Sequence, residues 1–229
     1  ADVSDMNKRK IQKVVILFSI LLLPSLLYLL LNTGVNQFKS LPFYGPKTLA
    51  EGSETDTIYH SIPDFEFVNQ NGETVTQEDY KGKIYVADFF FATCPTICPK
   101  MAVHMGELQK HFYDRKDFKL LSHTVNPEHD SVEVLRDYAD KVHAIDSVWN
   151  FVTGDREKIY EIAFKGYFAN AMEDELAPGG FLHSSNLFLI DRKGRIRGIF
   201  DGTSTVETND LMDAIEILYK EDFAPLKEK

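Results

Sequence analysis

Apolar residues are unevenly spread along the chain. One unbroken block, VVILFSILLLPSLLYLLL from Val14 to Leu31, holds no charged residue. At about 1.5 Å rise per residue, a helix of that length nearly crosses a hydrocarbon layer of about 30 Å. Pro24 falls inside the block, a position that a membrane helix tolerates better than a soluble one. A cleaved secretory signal has the same basic-then-apolar order. Its apolar region, however, is usually about 7–15 residues long and ends in a small-residue cleavage site. Here NTGVNQFKS follows Leu31, with no A-x-A pattern. The block therefore reads as a single-pass transmembrane anchor over 14–31.

Orientation follows from the flanking charges. Lys8, Arg9, Lys10 and Lys13 precede the anchor, and Lys39 is the first base beyond it. The positive-inside rule places residues 1–13 in the cytoplasm and the body of the protein outside. No Arg- and Ser-rich amphipathic stretch precedes the basic cluster, so a mitochondrial transit peptide is not visible. A bacterial inner membrane, with the body facing the periplasm, is the expected setting. Residues 1–5 precede Met6 and read as a cloning remnant without fold information.

Beyond the anchor the pattern changes twice. Residues 32–60 carry Gly34, Pro42, Gly45, Pro46 and Gly52 among scattered polar positions, which reads as a tether. From 61 to 224 the pattern suits one domain of alternating strands and helices. Phe65, Phe67 and Val75 alternate around Asn71-Gly72, a hairpin signal. IYVADFFF (84–91) has the length and continuity of a buried strand. Pro99 opens a helix in which Met101, Met105 and Leu108 recur at helical spacing. FKLLSHTV (118–125) predicts a second strand and SVEVLRDYADKV (131–142) a second helix. NFVTG gives a short strand and DREKIYEIAFKG (155–166) a third helix. LFLIDRKGRIRGIF (187–200) is a hairpin around Arg192–Gly194, and Val206–Tyr219 closes with a helix. This succession predicts an α/β, thioredoxin-like domain behind an N-terminal transmembrane helix.

Composition then narrows the function classes. The 229 residues are 44% apolar and 12% aromatic, enough for a packed core and incompatible with intrinsic disorder. The formal charge is −10, and residues 1–13 hold four bases and two acids. The remainder therefore carries 21 bases against 33 acids. Nucleic acid demands a basic footprint, so an acidic body excludes that class of partner.

The chemistry concentrates in FATCPTICPKM, which holds both cysteines of the chain, Cys94 and Cys98. A lone pair in an oxidising compartment often forms a structural disulfide. A bridge closing so short a loop would add little by chain entropy. Pro99 disfavours helical backbone at Cys98 and predicts a helix that opens at Pro99. Both sulfurs then lie near the positive end of a helix, where thiol pKa falls and thiolate is favoured. Thioredoxin-type oxidoreductases use C-x-x-C, whereas this is C-x-x-x-C. The extra residue opens the loop enough to hold an ion as well as to close a disulfide. Two soft thiolates select Cu(I) or zinc. Structural zinc wants four protein ligands, and no further cysteine exists. Low-coordinate Cu(I) needs one more soft or borderline donor, which points to a histidine.

Seven histidines are available: His60, His104, His111, His123, His129, His143 and His183. His104 and His111 stand two turns apart on one helix and are expected to face solvent. His60 belongs to the tether, and His129 sits in the NPEHD turn. His183, in GGFLHSSNLFLID, lies just before a buried strand and after a Gly-rich loop that could cover the cysteines. Spacing alone leaves its role open. Met101 and Met105 are soft donors too, but their helical spacing assigns them to the core.

Together CPTICP, TVNPEHD, WNFVTG and LHSSNLFLIDRKG resemble the Sco/SenC family over roughly residues 60–222. These are membrane-anchored, thioredoxin-fold copper chaperones that serve assembly of the CuA centre of cytochrome c oxidase. The resemblance implies copper, as Cu(I) or Cu(II), held by Cys94, Cys98 and His183. It implies as partners the copper-binding oxidase subunit and a periplasmic copper donor or thiol reductant. Two positions depart from the family pattern. Asn126 stands where an aspartate usually opens D-P-x-x-D, and Leu182 stands where an aspartate commonly precedes the histidine. Neither removes a copper ligand, but both alter the charge around a bound Cu(II).

Two readings follow. In the first, the domain binds copper through two cysteines and a histidine and passes it on by ligand exchange. In the second, Cys94 and Cys98 are the redox pair of a thiol–disulfide oxidoreductase that keeps the oxidase's copper-ligating cysteines reduced; thiolate attack needs no His183. A peroxidase reading lacks a separate activating arginine pattern.

Overall fold

The computed structural model describes residues 3–33, 40–49, 57–169, 171–173 and 181–221; for residues 3–10, 29–33, 171–173 and 181–183 the description stops at the backbone. The chain divides into two units, residues 1–39 and 40–229. The first contains α1 (Val3–Thr33), with Pro24 inside it. Its stretch Ile11–Tyr28 is long and apolar enough to cross a membrane, and none of it is buried in protein. An exposed apolar surface of that extent marks a membrane or partner contact.

In the second unit, β1 (Lys47–Leu49) pairs antiparallel with β2 (Thr57–Tyr59). Next, β3 (Glu66–Asn69) and β4 (Thr74–Thr76) form a hairpin whose turn holds Gly72 at φ +75°. That left-handed backbone suits glycine. A 3-10 turn (Gln77–Tyr80) leads into β5 (Ile84–Phe90), every residue of which is buried. There follow α2 (Cys98–Phe112), β6 (Phe118–Thr124), α3 (Val132–Lys141), β7 (Trp149–Thr153) and α4 (Arg156–Glu161). A π-turn (Ile162–Gly166) extends α4, completing the helix read over 155–166. Then come β8 (Ala171–Glu173), β9 (Phe181–His183), β10 (Asn186–Ile190), β11 (Ile196–Asp201) and α5 (Thr205–Glu221).

The main sheet has the order β11-β10-β5-β6-β7-β3-β4. The central β5, β6 and β7 run parallel, and their neighbours are antiparallel. This is the thioredoxin-like arrangement that the strand–helix alternation predicts, extended by the β3–β4 hairpin. Parallel central strands are covered on both faces, which is why 84–91 reads as one continuous apolar run. The crossovers β5–α2–β6 and β6–α3–β7 step the same way along the sheet. Right-handed crossovers therefore put α2 and α3 on one face. Phe90 meets Tyr138 of α3 there, with ring centroids 5.0 Å apart. On the opposite face, Tyr167 after the π-turn meets Phe89 and Phe188 at 5.5 Å each.

The segment read as a tether is partly built into this unit. Tyr44 N–H donates to Ile196 O at 3.0 Å, and His60 N–H to Pro46 O at 3.1 Å. Arg197, almost wholly buried, donates to Pro42 O, Leu41 O and Glu221, and its guanidinium lies 4.2 Å from the Phe43 ring centre.

Candidate metal site

The central parallel strand delivers the cysteines. After β5 ends at Phe90, the loop turns at once: Cys94 N–H donates to Phe91 O at 3.1 Å. Helix α2 opens at Cys98, one residue earlier than Pro99 predicts, with Met101 N–H on Ile97 O at 3.0 Å. Proline is tolerated in the first turn because its missing N–H has no intrahelical partner there. Cys98, Met101, Met105, Leu108 and Phe112 are all buried, at spacings of three and four, so Cys98 shares the sheet-facing stripe of the helix. The two methionines are core, as their spacing implies.

The thiols are not joined in a disulfide. Cys94 is 8% exposed and Cys98 2%. Cys98 N–H donates to Cys94 Sγ at 3.5 Å, so the first amide of α2, which has no partner within the helix, rests on a sulfur. The expectation of a depressed thiol pKa does not hold for Cys98. A hydrogen bond with Cys94 favours its protonated form, burial adds to that, and together they push the thiol well above its ordinary value.

Two buried carboxylates lie beneath this loop. Asp130 accepts from Ala92 N–H at 3.0 Å and from Thr124 Oγ1 at 2.5 Å, while His129 Nδ1 stands 2.8 Å from its other oxygen. It thereby ties the cysteine loop to the end of β6 and to the NPEHD turn. Asp88, on β5, accepts from Ser122 Oγ at 2.5 Å, and Ser122 accepts from Trp149 Nε1 at 2.8 Å. Tyr138 completes the surroundings. Burial, and after it the acidic neighbours Cys98, Asp88, Cys94 and Asp130, push its phenol up.

Sequence reading missed Asp88 and Tyr138, and took Asp130 only as part of a motif. The signal for Asp88 was a lone acid within an otherwise apolar strand, since buried acids are almost always partnered.

The histidines separate clearly. His183 lies in β9, its backbone paired with Ala171. Its side chain lies outside the described residues, as does most of the Gly-rich loop before it. Among the described residues no group of three His, Cys, Asp or Glu is placed to hold a metal ion. His104 does not face solvent as expected. It is buried, with Nδ1 2.7 Å from Gly202 O and Nε2 3.3 Å from Thr205 Oγ1. A carbonyl only accepts, so the proton is on Nδ1, and the ring ties α2 to the turn before α5. His60 is anchored too, with Nε2 2.7 Å from Gly166 O. His111 and His143 are exposed.

His123 is the least expected of them. It is fully buried on β6 and, among the described residues, neither ring nitrogen has a hydrogen-bond partner. It stacks on Phe89 at 5.1 Å, with Phe65, Phe67 and Tyr167 within 6 Å. Burial lowers its pKa to about 3, so it is a neutral ring in an aromatic box.

Comparison with known proteins agrees with this architecture. The SCO1/SenC family model matches residues 53–219. An SCO1 protein homolog of Bacillus subtilis is 30% identical over 163 residues, covering 70% of this chain and 84% of the homolog. The solved structure of BsSco, a member of the Sco family of cytochrome c oxidase assembly proteins in which a disulfide switch was identified, is 30% identical with a TM-score of 0.62. That match covers 69% of this chain and 93% of BsSco. Bradyrhizobium japonicum ScoI, solved with copper bound, is 24% identical with a TM-score of 0.57, over 69% of this chain and 97% of ScoI. At that identity the likeness is one of fold.

Proposed function

The chain belongs to the SCO1/SenC family, and from that premise we propose that it is a membrane-anchored copper chaperone for cytochrome c oxidase assembly. The observation that carries the reading is the pair of buried thiols at the opening of α2, with Cys98 N–H on Cys94 Sγ. Two thiols held this close are soft donors that suit Cu(I). His183 is the third donor in this reading, supplied from β9. Copper is the cargo: the site takes it as an ion and releases it by ligand exchange to the oxidase's copper-binding subunit. Helix α1 anchors the protein in a bacterial inner membrane, amino terminus inside, so that the domain works in the periplasm. The row of bases before Val14 supports that orientation.

A second reading has its own observation. The hydrogen-bonded cysteine pair is four positions apart, and BsSco, 30% identical, has an identified disulfide switch. Thiol–disulfide exchange with the oxidase's copper-ligating cysteines is the alternative activity of this site.

The deciding experiment is a Cu(I) competition titration of the reduced full chain in detergent, comparing wild type with Cys94→Ser, Cys98→Ser and His183→Ala. One-to-one binding that is abolished by either serine variant and sharply weakened by His183→Ala is the expected result. Retained wild-type affinity in a serine variant removes the site assignment. Affinity indifferent to His183 moves the reading to thiol–disulfide exchange.

A further inference from the structure

A buried carboxylate under a metal-binding loop has a chemical consequence only if it is charged, close and on the correct side of the sheet. Asp88 lies on β5, three residues before Phe91, whose carbonyl takes the Cys94 N–H that turns the cysteine loop. It is 3% exposed. Its partner Ser122 takes a hydrogen bond from Trp149 Nε1 and so turns its own proton toward Asp88, an arrangement suited to a carboxylate acceptor. Asp88 and Phe90 alternate onto the same face of β5, and Phe90 contacts Tyr138 of α3 there. Cys98, on the sheet-facing stripe of α2, covers that same face.

We propose that Asp88 is a fixed buried charge that biases the two-cysteine site toward the oxidised, more highly charged copper ion. The inference rests on the copper reading above. Cu(II) carries one more positive charge than Cu(I), and a nearby carboxylate out of water stabilises it more strongly. Asp88 is not a ligand in this scheme. It acts through space, held in place by Ser122 and Trp149, and sets how strongly the loaded site resists reduction.

The test is the midpoint potential of the copper-loaded full chain in detergent, measured anaerobically, beside separate Cu(I) and Cu(II) affinities. Asp88→Asn keeps the shape and the Ser122 contact while removing the charge. The expected result is at least a tenfold loss of Cu(II) affinity relative to Cu(I), which raises the potential by about 59 mV or more for a one-electron couple. Ser122→Ala removes the hydrogen bond but leaves the charge, and is expected to move the potential far less. Asp88→Ser, read in the same way, serves if Asp88→Asn does not fold. An unchanged potential in the charge-removing variant overturns the inference while leaving the copper reading intact. Equal shifts in Asp88→Asn and Ser122→Ala overturn it in favour of a purely structural role. Wild-type protein that binds neither ion removes both the copper reading and this one.

Discussion

Two neighbouring rungs of the β5–β6 ladder show opposite ways of burying a polar group. Asp88 pairs with Ser122 and, one step along, Phe89 pairs with His123. The step turns the side chains to opposite faces. On the helix-covered face, Asp88 is partnered by a hydroxyl that an indole N–H holds in place. On the other face, His123 has aromatic rings for neighbours and, among the described residues, no partner for either nitrogen. One side supplies a donor to the buried polar group; the other removes the charge and supplies none. The partnered side is also the side under the cysteines. A buried unmet hydrogen bond costs about 1–3 kcal/mol, and on this pair of rungs it falls on the face away from the cysteines.

The largest effect should come from breaking the partnered side. Asp130→Ala strands Ala92 N–H and the Thr124 hydroxyl beneath the cysteine loop. A loss of about 3 kcal/mol in denaturant unfolding is expected, together with weaker copper binding. Unchanged stability would show that the loop does not depend on this carboxylate.

The opposite face should respond with the opposite sign. His123→Phe replaces an orphaned imidazole by an apolar ring within an aromatic box, and a gain of about 1–2 kcal/mol at pH 7 is expected. The same variant separates the pH dependence of the two sides. Folded His123 has a pKa of about 3 against an ordinary 6.5, so between those values the unfolded chain binds the extra proton. Its contribution to stability is fully present above about pH 6.5 and is lost as pH falls, by about 1.4 kcal/mol per unit. Unfolding free energies across pH 4–7 should therefore fall less steeply in His123→Phe than in wild type. Identical slopes would mean that the imidazole finds a partner in solution.

The smallest effect should come from the unit outside the comparison. Removal of residues 1–39 is expected to leave the melting temperature of the domain unchanged, since 40–229 forms a unit of its own. A large drop on scanning calorimetry would show that residues 1–39 contribute to the fold of the domain.

Much of this was legible in the sequence, and the exceptions have physical causes. The succession of strands and helices followed from periodicity because parallel central strands leave unbroken apolar runs such as 84–91. The cysteine pair was legible because proline and a short spacing mark a loop-to-helix junction. The fate of individual histidines was not. His104 and His111 share a helix, yet one meets the carbonyl of Gly202, 98 positions away, and the other faces water. Such contacts depend on tertiary closure that no local window contains. Nor could the sequence show that Leu41, Pro42 and Tyr44 are bonded to the domain, because Gly and Pro signal irregular backbone and say nothing about whether a distant arginine holds it down.

That arginine has a wider consequence. Strand β11 ends the main sheet, and an unguarded terminal strand offers free backbone groups to any other chain that can add a strand. Here Tyr44 takes up the Ile196 carbonyl, and Arg197 draws Leu41 and Pro42 across the same border. The stretch that enters the domain at Ser40 is thus also a guard against strand-to-strand aggregation.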